Sequence, residues 1–478
     1  MHFFTSNKIT IWIGVLFALI AQLFIFEEKW YFFLLPIGLL FIYLALYATK
    51  QLISLLFFLT PLSINIEEYV PGFGLFLPTE PLFFGLMILV LAYQFRSKII
   101  PTYLYSNGLV IAIGIYLSWL VVSALASTHP IVSFKFILAK LWYILPLFGF
   151  GALYFVSTKN IFRFVWMFCI GMLVVIVYTL IHHATFGFGE KEGHWVMWPF
   201  FKDHTSYGAL TALILPLLIG LYFQKSNSLI VQLVVIVSII IDLLGIYFSY
   251  TRAAWLSVVA AIVVGLLIHF KVKFKYLALG GVFLMIGVGV YWTEIQFLLE
   301  KNKYEHTTEN FGERLQSATN VTSDASNLER INRWSCAIEM FKERPLFGFG
   351  PGTYAFEYAR FQEPENLTII STNFGDMGNA HSEYLGPLSE TGIIGLLTFL
   401  GVVGLLFYKG ITLYISYPLE HDSLRFLILM FVLSLITYFV HGILNNYLDM
   451  DKAAVPVWSI AIIFVVLEEK LKKSATIR

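Results

Sequence analysis

Three short polar clusters interrupt long apolar stretches, and each contains a residue type that can act on a charged or hydroxylated substrate. Arg252 belongs to the first cluster, Arg330 and Arg333 to the second, and His381 to the third. A guanidinium fork pairs with two oxygens of a phosphate, and a histidine near neutral pKa takes a proton from an attacking hydroxyl. These residue types indicate phosphate binding beside a general base.

Each cluster also has an ordinary structural interpretation. Arg252 could extend to lipid headgroups, and His381 could bond a carbonyl at the membrane surface. Arg330 and Arg333 lie about one turn apart on a predicted helix, where a surface salt bridge with Glu329 would account for them. From the residues alone, both interpretations stay open for all four side chains.

Two glycine-containing segments lie between and beyond these clusters. The run at 348–352 lacks the spacing and the following lysine of a phosphate loop, and Pro351 interrupts any dinucleotide-binding fingerprint. We therefore interpret this run as a turn after a helix. Gly392 and Gly395 are interpreted as a point of close helix packing.

The composition shows what kind of element must position these clusters. Of 478 residues, 58% are hydrophobic and 13% are charged, and the mean hydropathy is +0.78. A soluble domain carries about 25% charged residues, so the composition excludes an ordinary soluble enzyme. The net charge of +1 excludes a nucleic-acid binder that works through bulk positive charge. We expect an all-α polytopic protein in a lipid bilayer.

Apolar stretches long enough to cross a bilayer predict about fourteen spanning helices, or 12 to 14 when closely coupled ones are merged. Basic loops alternate with acidic or balanced ones between these spans, which predicts that both termini are cytoplasmic. The first span lacks a small-residue cleavage site and is expected to be a retained anchor. The predicted spans are 9–26, 30–48, 51–64, 80–95, 107–127, 136–156, 161–183, 206–223, 228–249, 253–270, 275–297, 388–408, 424–444 and 453–469.

One long polar segment interrupts the series of spans, and we call it the cap. The number of predicted spans before the cap places it outside the cytoplasm, and its recurring aromatic residues favour a folded structure. Helical spacing of apolar residues over 328–342 predicts a helix there. The expected organisation is an N-terminal transmembrane bundle at 1–297, a periplasmic cap at 298–387, and C-terminal transmembrane helices with a cytoplasmic tail at 388–478.

Several other polar residues carry weaker signals. Cys169 and Cys336 are predicted not to pair, and two cysteines cannot form a cysteine-based metal framework. Asp242 lies deep in a predicted span. It is either a polar contact inside the bundle or a coupling site of a transporter. One outer loop contains polar and aromatic side chains that either shape an acceptor groove or lie at the interface: His182, His183, His194, Trp195, Trp198 and His204.

In order and spacing, the three clusters resemble the O-antigen ligase and polymerase superfamily of bacterial envelope glycosyltransferases. The resemblance covers about 245–410, roughly a third of the chain. Members often carry asparagine after the histidine, where this chain has Ser382, so a role for that side chain is in doubt. The matching residues are Ser249-Tyr250-Thr251-Arg252, Arg330 with Trp334, Arg344-Pro345-Leu346-Phe347-Gly348-Phe349-Gly350-Pro351-Gly352, His381-Ser382-Glu383-Tyr384-Leu385 and Glu390-Thr391-Gly392-Ile393-Ile394-Gly395.

This resemblance implies an inverting glycosyltransferase of the GT-C type that needs no metal or other cofactor. Such an enzyme moves a glycan from undecaprenyl diphosphate to an acceptor hydroxyl on the periplasmic face of the bacterial inner membrane. By position, Arg252 and Arg330 would hold the donor diphosphate, with Arg333 as the alternative if the alignment is one turn out. His381 would activate the acceptor, which we expect to be lipid A–core.

Three alternatives remain at this point. A polymerase would use another lipid-linked repeat as the acceptor, and a protein O-oligosaccharyltransferase would use serine or threonine. From a different class, the chain could be a flippase or another transporter of lipid-linked oligosaccharides. A transporter predicts more charged residues along a central path than the sequence contains.

Overall fold

The computed structural model of the chain describes residues 20, 22, 34–67, 69, 74–225, 227–272, 325–364, 367, 371 and 378–477. The chain divides into two compact units, residues 1–56 and 57–478. The predicted span at 275–297 lies outside the described residues, and of the one at 9–26 only residues 20 and 22 are described.

Helices account for nearly all of the described chain. The first unit contains α1 (Leu34–Tyr47) and the start of α2 (Thr49–Leu62), which continues into the second unit. The other helices are α3 (Thr79–Ser97), α4 (Tyr103–Ser106), α5 (Gly108–Leu125), α6 (Pro130–Tyr154), α7 (Thr158–Ala184), α8 (Glu190–Gly193), α9 (His204–Tyr222), α10 (Leu229–Phe248), α11 (Arg252–His269), α12 (Ala325–Glu343), α13 (Tyr354–Glu357), α14 (Leu385–Ser416), α15 (Asp422–His441) and α16 (Asp451–Ile477), with short 3-10 turns at Tyr358–Phe361 and Leu419–His421.

Eight helical segments in the described chain are long and apolar enough to cross a membrane. Hydrocarbon offers no hydrogen-bond partners to the backbone, and a helix satisfies its backbone hydrogen bonds internally. Most of α9 is buried inside the bundle, whereas α10 and α11 expose most of their apolar length. The prediction of a polytopic helical membrane protein is therefore confirmed.

The C-terminal helix is longer than its apolar segment. The sequence predicted a span at 453–469 followed by a polar tail, but α16 continues to Ile477. Lys472 lies 3.0 Å from Glu468, and Lys473 lies 3.4 Å from Glu469. Such i,i+4 ion pairs stabilise a helix beyond the part that lipid or packing requires.

A short hairpin departs from the all-α expectation. Strand β1 (Ile64–Asn65) pairs antiparallel with β2 (Phe76–Leu77), with Ile64 opposite Leu77. The hairpin follows α2 and precedes α3. Asp451, at the start of α16, accepts a hydrogen bond from the Ser63 hydroxyl at 2.5 Å. The hairpin is thereby attached to the C-terminal helix of the bundle.

The described part of the cap has its own apolar core. Ile338 is 41% exposed, although the apolar spacing included it, because α12 instead turns the smaller Cys336 and Ala337 inward. Small side chains allow close packing of the surrounding rings. The described members of this core are Cys336, Ala337, Met340, Phe349, Tyr354, Tyr358 and Ala380. Cys169 and Cys336 are buried and free, as predicted.

Candidate functional site

His381 lies in the turn that connects the cap to α14. Its backbone has φ of +46°, in the left-handed region that side chains with a Cβ rarely adopt. The backbone N–H donates to Asn379 Oδ1 at 3.0 Å, and the carbonyl accepts from the indole of Trp334 at 3.4 Å. The turn is therefore held from both sides, which fixes the direction of the partly buried ring.

The surroundings of His381 keep its ring neutral. Burial and the positive charges of Arg333 and Arg330 together lower the pKa of this histidine from 6.5 to about 4, while the carboxylates of Glu329 and Asp203 oppose this shift. A ring without a proton at neutral pH can accept one, as a general base must. The structure thus brings three of the four predicted residues together: two guanidinium groups act on His381.

Arg333 has a structural partner. Its guanidinium lies 2.8 Å from Glu329, and both side chains are buried. The same guanidinium lies 4.5 Å from the centre of the Tyr358 ring. A Cβ at Gly378 would overlap Nη1, so a larger residue there would displace the end of the arginine side chain. The salt bridge with Glu329 that the spacing left open therefore exists, but inside the cap and not on its surface.

The pKa of Glu329 shows the effect of its pairing with Arg333. Burial by itself raises the pKa of a carboxyl, but hydrogen bonds from Ser371 and Arg333 outweigh it and hold the pKa of Glu329 below its usual value. Nη1 of Arg333 has no hydrogen-bond partner among the described residues. Arg333 therefore has one nitrogen whose N–H groups have no partner among the described residues, while its charge is largely balanced by Glu329.

Arg252 is the first residue of α11 and lies at the same end of the bundle as the cap. The preceding residue, Thr251, donates its hydroxyl to the carbonyl of His204 at 2.8 Å, at the start of α9. Asp203 caps α9 by accepting the N–H of Ser206 at 2.8 Å. Because Asp203 also acts on His381, the first and third clusters meet through the start of α9.

A cavity of about 760 Å³ opens beside His381. Ala380 and Ser382, its neighbours on either side, line this cavity, whereas none of the four predicted site residues is among its described lining. Its walls come from the hairpin, the segment before α9, the cap and the loop between α15 and α16. The sequence analysis missed this cavity because its lining comes from distant parts of the chain.

An ion pair forms part of the cavity wall. Nζ of Lys140, on α6, lies 2.5 Å from Oδ1 of Asp449. The lysine side chain is 8% exposed and the aspartate side chain 41%, so the carboxylate faces the open side. Lys140 lies inside the predicted span at 136–156, and a charge inside a span is a signal that could have identified it.

Two glutamates of the third cluster fix the surrounding loops. Glu383 accepts hydrogen bonds from the Tyr438 hydroxyl at 2.5 Å and from the N–H groups of Tyr447 and Leu448 at 2.7 and 2.8 Å. These bonds position the loop that carries Asp449. The carboxylate of Glu390 accepts the N–H of Gly352 at 3.0 Å and ties the glycine run to α14.

The glycine run has the structural role that the sequence predicted, whereas Gly392 lies at a kink of α14 against the segment after α12 and not at a contact between helices. The run at 348–352 is a turn after α12, and Gly350 has φ of +114° with Ser127 where a Cβ would lie. Gly392 has φ of +69°, and a Cβ there would come within 2.1 Å of the Leu346 carbonyl oxygen. Both segments pack backbone against backbone or against a helix, and neither is a phosphate loop.

The loop histidines are held by local contacts. A ring nitrogen of His182 lies 2.9 Å from the Val196 carbonyl oxygen, and one of His183 lies 2.8 Å from that of Gly189. The rings of His194 and His204 stack at 4.1 Å. From this loop, Trp198 reaches the cavity. Elsewhere, Asp242 is buried in the bundle, and neither carboxyl oxygen has a hydrogen-bond partner among the described residues.

Comparison with known proteins identifies the family of this site. Residues 237–400 match the model of a family described as O-antigen ligase. This segment extends from α10 into α14 and includes Arg252, Arg330, Arg333 and His381. No curated protein matches the chain. The match confirms the resemblance seen in the three clusters, and the family acts as membrane glycosyltransferases on lipid-linked glycans. The chain is therefore a polytopic membrane protein that carries an O-antigen ligase domain at 237–400.

Proposed function

We propose that this enzyme transfers a glycan from undecaprenyl diphosphate to a hydroxyl of lipid A–core. The reaction takes place at the periplasmic face of the bacterial inner membrane, inverts the anomeric carbon and needs no metal. One observation carries the proposal: within the O-antigen ligase domain, a histidine with a neutral ring lies in the field of two arginines and beside a cavity.

In the proposed mechanism His381 acts as the only base. The acceptor hydroxyl gives its proton to the ring while its oxygen attacks the anomeric carbon. The bond between that carbon and the phosphate oxygen breaks, and undecaprenyl diphosphate leaves with the bonding electrons. Diphosphate is a good leaving group, so no protonating acid is required. Guanidinium groups stabilise the charge that develops on it.

Arg330 and Arg252 are the proposed diphosphate ligands. Arg333 was the alternative to Arg330, but its charge is largely balanced by buried Glu329. Arg252 stands at the N-terminus of α11, where the helix dipole adds further positive potential.

Lipopolysaccharide from a deletion strain tests this function. The strain is complemented with wild type, with His381→Ala, or with His421→Ala as a matched control, since His421 lies in the turn before α15 and outside the site. We expect His381→Ala to give bare lipid A–core while polymerised glycan accumulates on undecaprenyl diphosphate. The control should restore the wild-type ladder at equal expression.

Other outcomes would replace the proposal. Core that bears a single repeat would indicate a polymerase. Unchanged lipopolysaccharide together with lost glycoproteins would indicate a protein O-oligosaccharyltransferase. Donor that remains on the cytoplasmic leaflet would indicate a flippase. Full activity of the His381→Ala variant would contradict the assigned base.

A further inference from the structure

The cavity beside His381 has a lining of unusual charge for an enzyme that handles a diphosphate. Its described acidic and basic side chains are five carboxyls and two amines. Asp449 already pairs with Lys140, and the side chain of Lys202 is exposed. Even if buried Glu383 and Glu390 are set aside, no excess of positive charge remains. These acidic and basic residues are Glu67, Lys140, Lys202, Asp203, Glu383, Glu390 and Asp449.

The arginines are kept apart from this cavity. No arginine occurs in its described lining, although Arg330 and Arg333 both act on His381. His381 therefore lies between two different environments, because two arginines act on its ring and its chain neighbours Ala380 and Ser382 line the acidic cavity. A diphosphate is attracted to the first and repelled by the second. The two substrates of a transfer reaction need such separate places on either side of a shared base.

The same cavity offers groups that bind sugars. Trp198 lines it with a side chain that is 42% exposed, and Phe136 and Phe200 add further rings. Ring faces pack against the C–H faces of a sugar, and a few polar groups then fix its orientation. A volume of about 760 Å³ accommodates more than one sugar residue.

Hydrogen-bond acceptors are available for sugar hydroxyls. Oδ1 of Asn446 lines the cavity, is buried, and has no hydrogen-bond partner among the described residues. A buried acceptor of this kind needs a donor, and a hydroxyl supplies one. The carboxylate of Asp449 is 41% exposed and offers further lone pairs.

We propose that this cavity binds the acceptor through an uncharged, hydroxyl-rich sugar residue and discriminates against a phosphorylated or carboxylated one. The inference rests on the proposed function, because it concerns the acceptor of that transfer. The acidic lining orients neutral hydroxyls toward His381 and repels anions. Donor and acceptor are thus distinguished by charge.

The test uses the purified full-length protein with undecaprenyl-diphosphate-linked glycan and two acceptors. One is lipid A–core with a neutral terminal hexose, and the other carries a phosphate on that same hexose. Transfer to each is measured as kcat and KM, and donor hydrolysis is measured without acceptor. We expect kcat/KM to be about tenfold higher for the neutral acceptor, with a smaller difference at high salt.

Variants connect this preference to the cavity. Glu67→Gln and Asp449→Asn each remove a negative charge and should narrow the difference between the acceptors. Trp198→Ala should raise the acceptor KM more than it lowers kcat. Glu469→Gln removes a carboxylate near the end of α16, outside the cavity lining, and serves as the matched control.

The outcomes separate the two proposals. Equal or better use of the phosphorylated acceptor, or unchanged discrimination in both charge variants, would overturn the inference while leaving the transferase intact. If the wild-type protein shows neither transfer nor donor hydrolysis, the proposed function is overturned, and the inference with it.

Discussion

At the scale of single residues, neighbouring charges decide what each side chain can do. His381 is an ordinary histidine by type, but burial and two guanidinium groups lower its pKa to about 4. Arg330 and Arg333 are equivalent in the sequence, yet Arg333 forms a buried pair with Glu329. The same residue type therefore serves a proposed substrate contact at one position and the cap structure at the other.

The pH dependence of transfer tests the state of His381. Because its pKa is lowered to about 4, the ring stays unprotonated down to that pH, so kcat should be flat between about pH 6 and 8. Arg333→Gln removes a positive charge, raises the pKa and should move the acid limb of the pH profile upward. Arg360→Gln removes an exposed ion pair with Glu343 and should leave the acid limb unchanged. An acid limb near 6.5 in the wild type would contradict the assignment.

Arg330 and Arg333 should respond differently to substitution. Removing one partner of a buried ion pair costs about 3–5 kcal/mol, so Arg333→Gln should lower the melting temperature of the purified protein markedly. Arg330→Gln should instead reduce kcat by about 100-fold. Thermal unfolding and transfer assays on both variants decide this. The reverse pattern would make Arg333 the diphosphate ligand.

At the scale of elements, close backbone approaches hold the cap on the bundle. The glycine run after α12 passes against the turn between α5 and α6, where the N–H of Thr128 donates to the Phe349 carbonyl at 2.9 Å. Glu390 then ties the run to α14. Gly392 bends α14 so that its first turns carry the third cluster toward the cap.

Gly350→Ala tests this attachment. Gly350 has φ of +114°, and an added Cβ would lie 2.0 Å from Ser127 Oγ, so we expect a loss of about 1–3 kcal/mol in unfolding free energy. Gly401→Ala in α14, with nothing within 4 Å of the new Cβ, should be neutral or slightly stabilising. Thermal unfolding in detergent measures both. Equal melting temperatures would show that the run does not need its glycine.

At the scale of the whole second unit, one end carries the cap, the cavity and the candidate site. The basic loops predicted to face the cytoplasm form separate contacts. One example is the ion pair of Lys225 with Asp422 at 3.1 Å. The cavity lining includes loops that join alternate helices, as expected if they share one side of the membrane.

Cysteine labelling tests this orientation. Cys169 and Cys336 are buried and free, so the native chain should give little background. An impermeant maleimide applied to spheroplasts should label the Lys191→Cys variant, whose site in α8 is exposed at the cap end. The Ser474→Cys variant, in the exposed end of α16, should be labelled only after lysis. The opposite pattern would invert the predicted topology.

The sequence by itself determined the membrane class and most helices of the described chain, and it supplied the four proposed site residues. Each spanning helix satisfies its own backbone hydrogen bonds, so its signal is local. Residue type and spacing likewise indicate the phosphate binding of arginine and the proton acceptance of histidine. The sequence could also have indicated Lys140, because a charge inside an apolar span is rare.

The tertiary structure alone decided how these residues are used. Lys140 and Asp449 are 309 positions apart, and they meet only because α6 packs beside the loop before α16. The buried pair of Arg333 with Glu329 depends on which face of α12 the cap core buries. Charge pairing and cavities arise between elements, where sequence spacing carries no information, because the free energy of packing depends on surfaces that are distant along the chain.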